Sequence, residues 1–342
     1  MNIVTLGIDL AKSSFALHGV DSSGKVLLRK NVSRKKLPEM LINMPPCLVG
    51  MEACSSAHYW ARLFKQFGHD VKLMPPQFVK PYVKSNKNDT ADAEAICEAV
   101  TRPNMRFVPI KSIEQQSILS IHKARERLVS MKTGQTNQLR GLLAEFGIVI
   151  PKGSASLNKQ IPLILENAGN NLTSSVRRLV AQLKELIDDL VIQICVLTKE
   201  IEHWHSTNVD SKRIAEIPGI GPITATALVA SIGDPASFNN GRQVSAWIGL
   251  VPKQFSTGGK QVLLGISKRG DSYLRRLLVH GARAVLGHLK QQPNTYTHRW
   301  LNDLLKRKHK NVAIVALANR NARIAWALLA NQQQYNPELL SA

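Results

Sequence analysis

Acidic side chains are in short supply: 24 Asp and Glu stand against 45 Lys and Arg over 342 residues, a formal charge of +21. The excess recurs in every region rather than in one tail. Such a chain releases counterions from a polyanion, so nucleic acid is the first partner to expect and a membrane surface a weaker one. Cysteine is scarce too. Cys47, Cys54, Cys97 and Cys195 form no C-x-x-C pair and no zinc-ligand spacing, which argues against a disulfide framework or a structural zinc and leaves reduced thiols to which no chemistry is assigned. No uninterrupted apolar run of about 18 residues occurs, so no membrane span is expected. The opening Met1-Asn2-Ile3-Val4-Thr5-Leu6-Gly7-Ile8-Asp9 lacks the basic start and cleavage site of a signal peptide, and the cytoplasm is the expected compartment.

What is present is enough to fold. Hydrophobic residues at 44% and charged residues at 20% exclude general disorder, and the length allows two or three compact units. Ile3–Ile8, Phe15–Val20 and Lys25–Leu28, around the turn Asp21-Ser22-Ser23-Gly24, predict a strand and a hairpin. Cys47–Met51 predicts a buried strand ending in Glu52. An amphipathic helix over Ala57–Phe67, a strand over Val71–Met74 and a helix from Asp89 to about Thr101, capped by Asp89 or Thr90, complete a mixed α/β region.

Long helical patterns follow. One is marked by Ile118, Ile121, Leu128, Met131, Leu139, Leu142 and Leu143, the other by a stripe from Val176 to Ile201. The second keeps three-and-four spacing over several heptads, which serves equally for an intermolecular coiled coil or for two helices packed within one subunit. From Ile214 the chain is punctuated by Gly and Pro and ends in Arg-, Lys- and Ala-rich helices. Three regions are expected, 1–110, 111–207 and 208–342.

Asp9 and Glu52 end two strands, and Asp89 and Asp92 share one face of a helix's first turn. In a layered α/β domain strand ends from distant segments meet at one sheet edge, so four carboxylates can converge. Such oxygens suit Mg²⁺ or Mn²⁺, and paired ions can clamp the attacking and leaving oxygens of a phosphodiester. Singly, each acid also reads as a cap, a solvated face or a polar strand end.

The runs Gly7-Ile8-Asp9-Leu10-Ala11-Lys12, Gly50-Met51-Glu52-Ala53-Cys54 and Asn88-Asp89-Thr90-Ala91-Asp92-Ala93 resemble the RuvC-like (RNase H-like) domain of the DEDD transposases. These are insertion-sequence recombinases of the Piv/MooV kind, some guided by a bridge RNA. All four acids of the pattern are present. Gly-Ile-Asp with a following hairpin also suits the actin-like sugar kinases, but these need a second glycine-rich phosphate motif, which is not found.

Further on, Ile217-Pro218-Gly219-Ile220-Gly221-Pro222-Ile223-Thr224 resembles a helix-hairpin-helix, whose Gly-x-Gly turn offers backbone N–H groups to a DNA phosphate; a plain Gly/Pro helix connector reads the same way. Ala246-Trp247-Ile248-Gly249-Leu250-Val251-Pro252, Ser256-Thr257-Gly258-Gly259-Lys260, Ile266-Ser267-Lys268-Arg269-Gly270-Asp271 and Tyr273-Leu274-Arg275-Arg276 are similar to the C-terminal transposase domain of the same family. That resemblance implies a hydroxyl before the glycines that attacks DNA and forms a covalent phosphoserine. Ser256 keeps the family's spacing to Ser267-Lys268, whereas counting forward from Gly249 without a gap lands on Thr257. Ser256 is chosen, and Ser245 is read as structural. Lys260, Lys268, Arg269 and Arg275 can neutralise phosphate charge. Basic helices over His280–Lys290 and Arg299–Lys310 are expected to line nucleic acid, and Trp300 and Trp326 to fill core.

The expectation is therefore an α/β RuvC-like domain, a helical coiled-coil arm and a mostly α C-terminal domain with a helix-hairpin-helix-like element. The acids Asp9, Glu52, Asp89 and Asp92 hold Mg²⁺ or Mn²⁺, activating Ser256 and stabilising the departing 3′ oxygen. Double-stranded donor and target DNA, a structured non-coding guide RNA and a homo-oligomer, a dimer pairing into a tetramer, are the implied partners, on a bacterial nucleoid. The alternatives are a metal-dependent junction endonuclease in which water attacks, and a non-catalytic nucleic-acid-binding protein.

Overall fold

A computed structural model describes residues 2–84, 88–289 and 295–338. The chain divides into two compact units, one of residues 1–113 with Ile232–Asn239, the other of Glu114–Ser231 with the residues from Asn240 on.

The first unit runs β1 (Thr5–Asp9), β2 (Ser14–Val20), β3 (Val26–Ser33), α1 (Lys36–Ile42), β4 (Leu48–Glu52), α2 (Ala57–Gln66), β5 (Asp70–Met74), α3 (Pro76–Val79) and α4 (Asp89–Val100). Its sheet has the order β3-β2-β1-β4-β5. β1, β2 and β3 form an antiparallel meander, while β1, β4 and β5 are parallel. Asp21 holds the first hairpin: its Oδ1 accepts from the backbone N–H groups of Ser23 and Lys25 at 2.8 and 3.0 Å, with Gly24 at φ 86°.

Side chains alternate across a strand. Leu6, Ile8, Phe15 and Leu17 join Trp60 and Phe64 of α2 and Leu37 and Leu41 of α1 in one core cluster. On the other face, β1 and β4 carry glycine where α4 crosses them. A Cβ on Gly7 would lie 2.3 Å from the Ala93 carbonyl oxygen and 2.5 Å from the Cys97 nitrogen, and one on Gly50 would lie 2.8 Å from Val100 Cβ. Gly7 and Gly50 pair in register, so this two-glycine floor lets α4 lie directly on the backbone of β1 and β4. The cap of α4 is Asn88, whose side chain accepts from Ala91 N at 2.8 Å. The cap expected at Asp89 or Thr90 moves back one residue, because the amide in extended backbone reaches the N–H three residues on and both acids fall inside the first turn.

The second unit opens with α5 (Ile113–Ala144), α6 (Ser154–Glu166) and α7 (Ser174–Thr207). α5 and α7 form an antiparallel hairpin within one chain: Leu139 and Leu143 cluster with Val180 and Ile187 at one end, and Ile118 with Ile201 at the other. Leu157 and Ile161 of α6 close the distal end. Arg177 caps α6, its guanidinium donating to the carbonyls of Leu165 and Asn167 at 2.8 and 2.7 Å. Leu179, Leu186, Val191, Ile192 and Val196 of α7 stay exposed.

Then follow α8 (Val209–Ala215), α9 (Pro222–Ile232), α10 (Gly241–Ile248), a two-stranded ribbon of β6 (Pro252–Gln254) and β7 (Leu263–Ile266), α11 (Ser272–Gly287), α12 (Tyr296–Leu305) and α13 (Lys310–Asn331). The basic helix expected over Arg299–Lys310 is interrupted after Leu305, and α13 starts at Lys310 under an His309 cap. The one expected over His280–Lys290 is the second half of α11, with Lys290 outside the described residues. α13 alone among the described helices is long and apolar enough to cross a membrane, but 56% of that window is buried. Ala313, Leu317, Ala318, Ala322 and Ala325 carry its buried face. Trp300 is half-buried, with the Arg320 guanidinium 5.0 Å from its ring centroid.

His122 of α5 ties three helices together. Its Nε2 lies 2.9 Å from Thr226 Oγ1 on α9, and its Nδ1 lies 2.9 Å from the Tyr273 hydroxyl on α11. The Thr226 hydroxyl donates to Pro222 O at 2.8 Å, so Nε2–H is the donor to Thr226 and Nδ1 the acceptor from Tyr273. Burial, then Arg125, pushes His122 down to about 4, and burial first of all pushes Tyr273 up to about 12. The folded pKa lies below the unfolded one. This unit should therefore lose stability as pH falls through the window from about 6.5 to about 4, by roughly 2–3 kcal/mol from this group. Urea midpoints at pH 7 and pH 4.5 for wild type and His122→Gln check it: glutamine does not titrate, so the wild type should show the larger acid loss. Equal losses in both proteins would dismiss the histidine as the source.

Candidate functional site

Asp9 and Glu52 stand at the C-terminal ends of β1 and β4, one residue beyond the in-register pair Ile8↔Met51. They follow Gly7 and Gly50 by two residues. By strand alternation they rise on the face that α4 covers. Asp89 and Asp92 sit in the first turn of that helix, where its dipole favours negative charge. The two pairs thus share one face of one sheet. They do not form one cluster: among the described residues, no three His, Cys, Asp or Glu side chains group closely enough to hold a metal ion. Asp9 and Glu52 end neighbouring strands and Asp89 and Asp92 share a helical turn, and like charges brought to ligating distance would repel.

Cys54 reports the electrostatics of this edge. Desolvation of its sulfur, then the charges of Glu52 and Asp9, raise its thiol above the ordinary range. Both strand-end carboxylates therefore act on one point. Ser56, four residues after Glu52, adopts φ 68° without being glycine, a left-handed conformation that costs about 1–2 kcal/mol. The sequence reading gave Gly7 and Gly50 no packing role and Cys54 no chemistry. The signal for the glycines was there: each acidic strand end reads Gly-x-acid.

The second set lies on the ribbon. Gln254 pairs with Leu263, Phe255 N donates to Val262 O at 2.9 Å, and Thr257 and Lys260 exchange two backbone hydrogen bonds. Gly258 and Gly259, at φ 53° and 79°, make the two-residue turn whose left-handed pair suits a twisted hairpin. One face carries Gln254 and Ser256, the other Phe255 and Thr257. Ser256 is exposed, and its Oγ accepts from Gln254 Nε2 at 3.0 Å. Thr257 closes the turn with its backbone. Ser245 is 1% exposed, and its hydroxyl donates to Arg242 O at 3.0 Å.

Lys260, Lys268 and Arg269 are all exposed, and no Asp or Glu occurs from 235 to 270. Arg275 is engaged differently: its Nη1 donates to the carbonyls of Ile248 and Arg269 at 2.7 and 3.2 Å, tying α11 to the ribbon's root. There two backbones cross in contact. A Cβ on Gly249 would lie 1.9 Å from Arg269 O, and one on Gly270 would lie 1.8 Å from Trp247 O.

The turn between α8 and α9 is similarly locked. Gly219, at φ 89°, faces Gly281 of α11, whose own Cβ would fall 1.8 Å from Gly219 O. Asn321 Nδ2 donates to Pro218 O at 2.8 Å. Gly219 therefore serves packing, while Gly221 is exposed before the first turn of α9.

A strand-end carboxylate pair under an acid-headed helix, with a basic serine ribbon in the other unit, matches known proteins in both parts. Residues 6–148 match the IS110-type DEDD model, described as a transposase. Residues 211–298 match the model described as transposase IS116/IS110/IS902 family. The chain is 47% identical to a probable family 20 transposase of Pseudomonas aeruginosa over 98% of this chain and 100% of that one. The chain belongs to the IS116/IS110/IS902 family of transposases. The transposase is also 44% identical to the transposase for insertion sequence element IS1328 of Yersinia enterocolitica, over 96% of this chain and 97% of that one. It is equally 44% identical to that for IS1111A of Coxiella burnetii, over 98% and 92%. It is thus a DNA-cleaving and rejoining enzyme, and both motif-bearing segments fall inside matched regions.

Proposed function

We propose that this transposase cuts and rejoins DNA through a covalent phosphoserine at Ser256, with Asp9, Glu52, Asp89 and Asp92 as the residues that hold Mg²⁺ or Mn²⁺. The observation that carries the reading is Ser256 itself: an exposed hydroxyl beside a Gly-Gly hairpin turn, in a segment from 235 to 270 that carries exposed Lys260, Lys268 and Arg269 and no acid. A serine so placed can approach a phosphate, and the cations lower the charge that repels an incoming nucleophile. Thr257 is the poorer choice, since it sits in the pair that closes the turn.

The donor set suits a hard cation. All four residues are carboxylates, whose oxygens suit such an ion, and burial together with Glu52 and Asp9 raises the Cys54 thiol beside the strand ends, which disfavours a competing thiolate. A cation held by these carboxylates would supply positive charge to an oxygen leaving phosphorus. Asp89 and Asp92 lie on the same face of the sheet as Asp9 and Glu52 and complete the set.

The bond energy retained in the phosphoserine allows rejoining without a further energy source. Gly221, at the open N-terminus of α9, is the backbone contact to DNA phosphate, the turn acting as a helix-hairpin-helix, and Gly219 shapes it. Labour divides over 1–110, 111–207 and 208–342, for acids, arm and serine. A structured guide RNA selects the DNA, in keeping with the charge of +21, and the exposed stripe on α7 joins copies of the chain into dimers and tetramers in the cytoplasm, on the nucleoid.

The test is recombination of a plasmid bearing the ends of the element, with Mg²⁺ and with or without RNA transcribed from its flanking DNA. Joined products with no free cut ends as intermediates are expected, in the presence of that RNA. Cut ends that accumulate and are never joined would favour the junction endonuclease in which water attacks.

A further inference from the structure

The hydrogen bond on the nucleophile's own face has a direction. Gln254 Nε2 lies 3.0 Å from Ser256 Oγ, and an amide nitrogen can only donate. The serine oxygen therefore accepts, and its own proton stays free to leave. Residues two apart on a strand share a face. The ribbon register fixes this pair: Gln254 stands opposite Leu263 and Ser256 opposite Gln261, in continuation of Thr257↔Lys260. Among the residues from 235 to 270 there is no carboxylate, so the ribbon supplies donors and cations and no acidic side chain as base.

We propose that Gln254 is a positioning residue that holds the Ser256 hydroxyl in its attacking rotamer and stabilises the negative charge that develops on Oγ. This inference rests on Ser256 being the nucleophile. In the step, the Oγ–P bond forms as the P–O3′ bond breaks; the Oγ proton passes to water, and the departing 3′ oxygen takes a proton from water. Charge grows on Oγ as its proton leaves, and a fixed N–H aimed at that atom strengthens with the charge.

The experiment is the single-turnover rate of protein–DNA adduct formation against pH, with the full-length chain, Mg²⁺, RNA from the element's flank and a nicked duplex carrying the element's terminal sequence. Gln254→Ala should form the adduct on Ser256 about 10- to 100-fold more slowly, with the alkaline limb of its profile displaced to higher pH and DNA affinity unchanged. Gln254→Glu, which cannot donate and sets a negative charge beside Oγ, should be slower still, whereas Gln254→Lys, which donates, should recover most of the rate. A rate and pH profile within twofold of wild type for Gln254→Ala, with the adduct on Ser256, would overturn the role of Gln254 alone. A Gln254→Glu protein faster than wild type would overturn it too, showing that the side chain works as an acceptor. An adduct on Thr257, or cleavage with none, overturns the Ser256 reading and this inference together.

Discussion

With Mg²⁺, any required RNA and a nicked duplex, the transposase should leave a denaturation-resistant adduct whose peptide mass maps to Ser256, and Ser256→Ala should eliminate it. Alanine keeps the ribbon, because the strands are held by the backbone bonds of Phe255, Thr257 and Lys260, so loss of the adduct reads on the hydroxyl. Thr257→Ala should slow the adduct without moving it, since its backbone bonds to Lys260 survive the change. Ser245→Ala should leave it in place: that hydroxyl is buried and turned onto Arg242 O within its own helix. Mass on Thr257 would move the nucleophile by one residue. Efficient cleavage by Ser256→Ala with no adduct would give the reaction to water.

Recombination should fall below detection in Asp9→Asn, Glu52→Gln, Asp89→Asn and Asp92→Asn, with DNA binding retained in all four. Each change removes one negative charge from a chain of net +21, so attraction to phosphate is undiminished, while the substituted amide is a poorer ligand for a hard cation. Binding and excision assays on the four proteins decide it. They also separate the pairs: Asp9 and Glu52 end adjacent strands, whereas Asp89 and Asp92 ride on α4. Normal excision by either helix variant would confine the metal to the strand ends.

Where apolar spacing was regular, the fold was legible. β1, β2, β4 and β5, α2, α4 and the two long helices fall close to where periodicity puts them, and so do the four acids on their strand ends and first turn. β3 runs on to Ser33, past the expected Leu28: Arg29 and Lys30 are ordinary on an exposed edge strand and break the apolar pattern that was sought. α1 is only seven residues long and buries just Leu37 and Leu41. α6 carries Pro162 within it, which reads as a break in one dimension. The acids could be named from motifs, but how the helix pair stands to the strand-end pair depends on where α4 lies on the Gly7–Gly50 floor, through contacts between residues 50 to 90 positions apart. The Gln254–Ser256 bond likewise waits on a register that only the folded ribbon fixes.

If Ser256 carries a DNA strand as proposed, the crossing of Gly249 and Gly270 sets how that strand can move. Both legs of the ribbon begin at that crossing, where neither chain has room for a methyl group and Arg275 binds the carbonyls of Ile248 and Arg269. A hinge has no slack to use there. Tension on a strand tethered there would pass through the ribbon into α10 and α11, so the DNA end would be moored to the helical body and travel only as far as that body does.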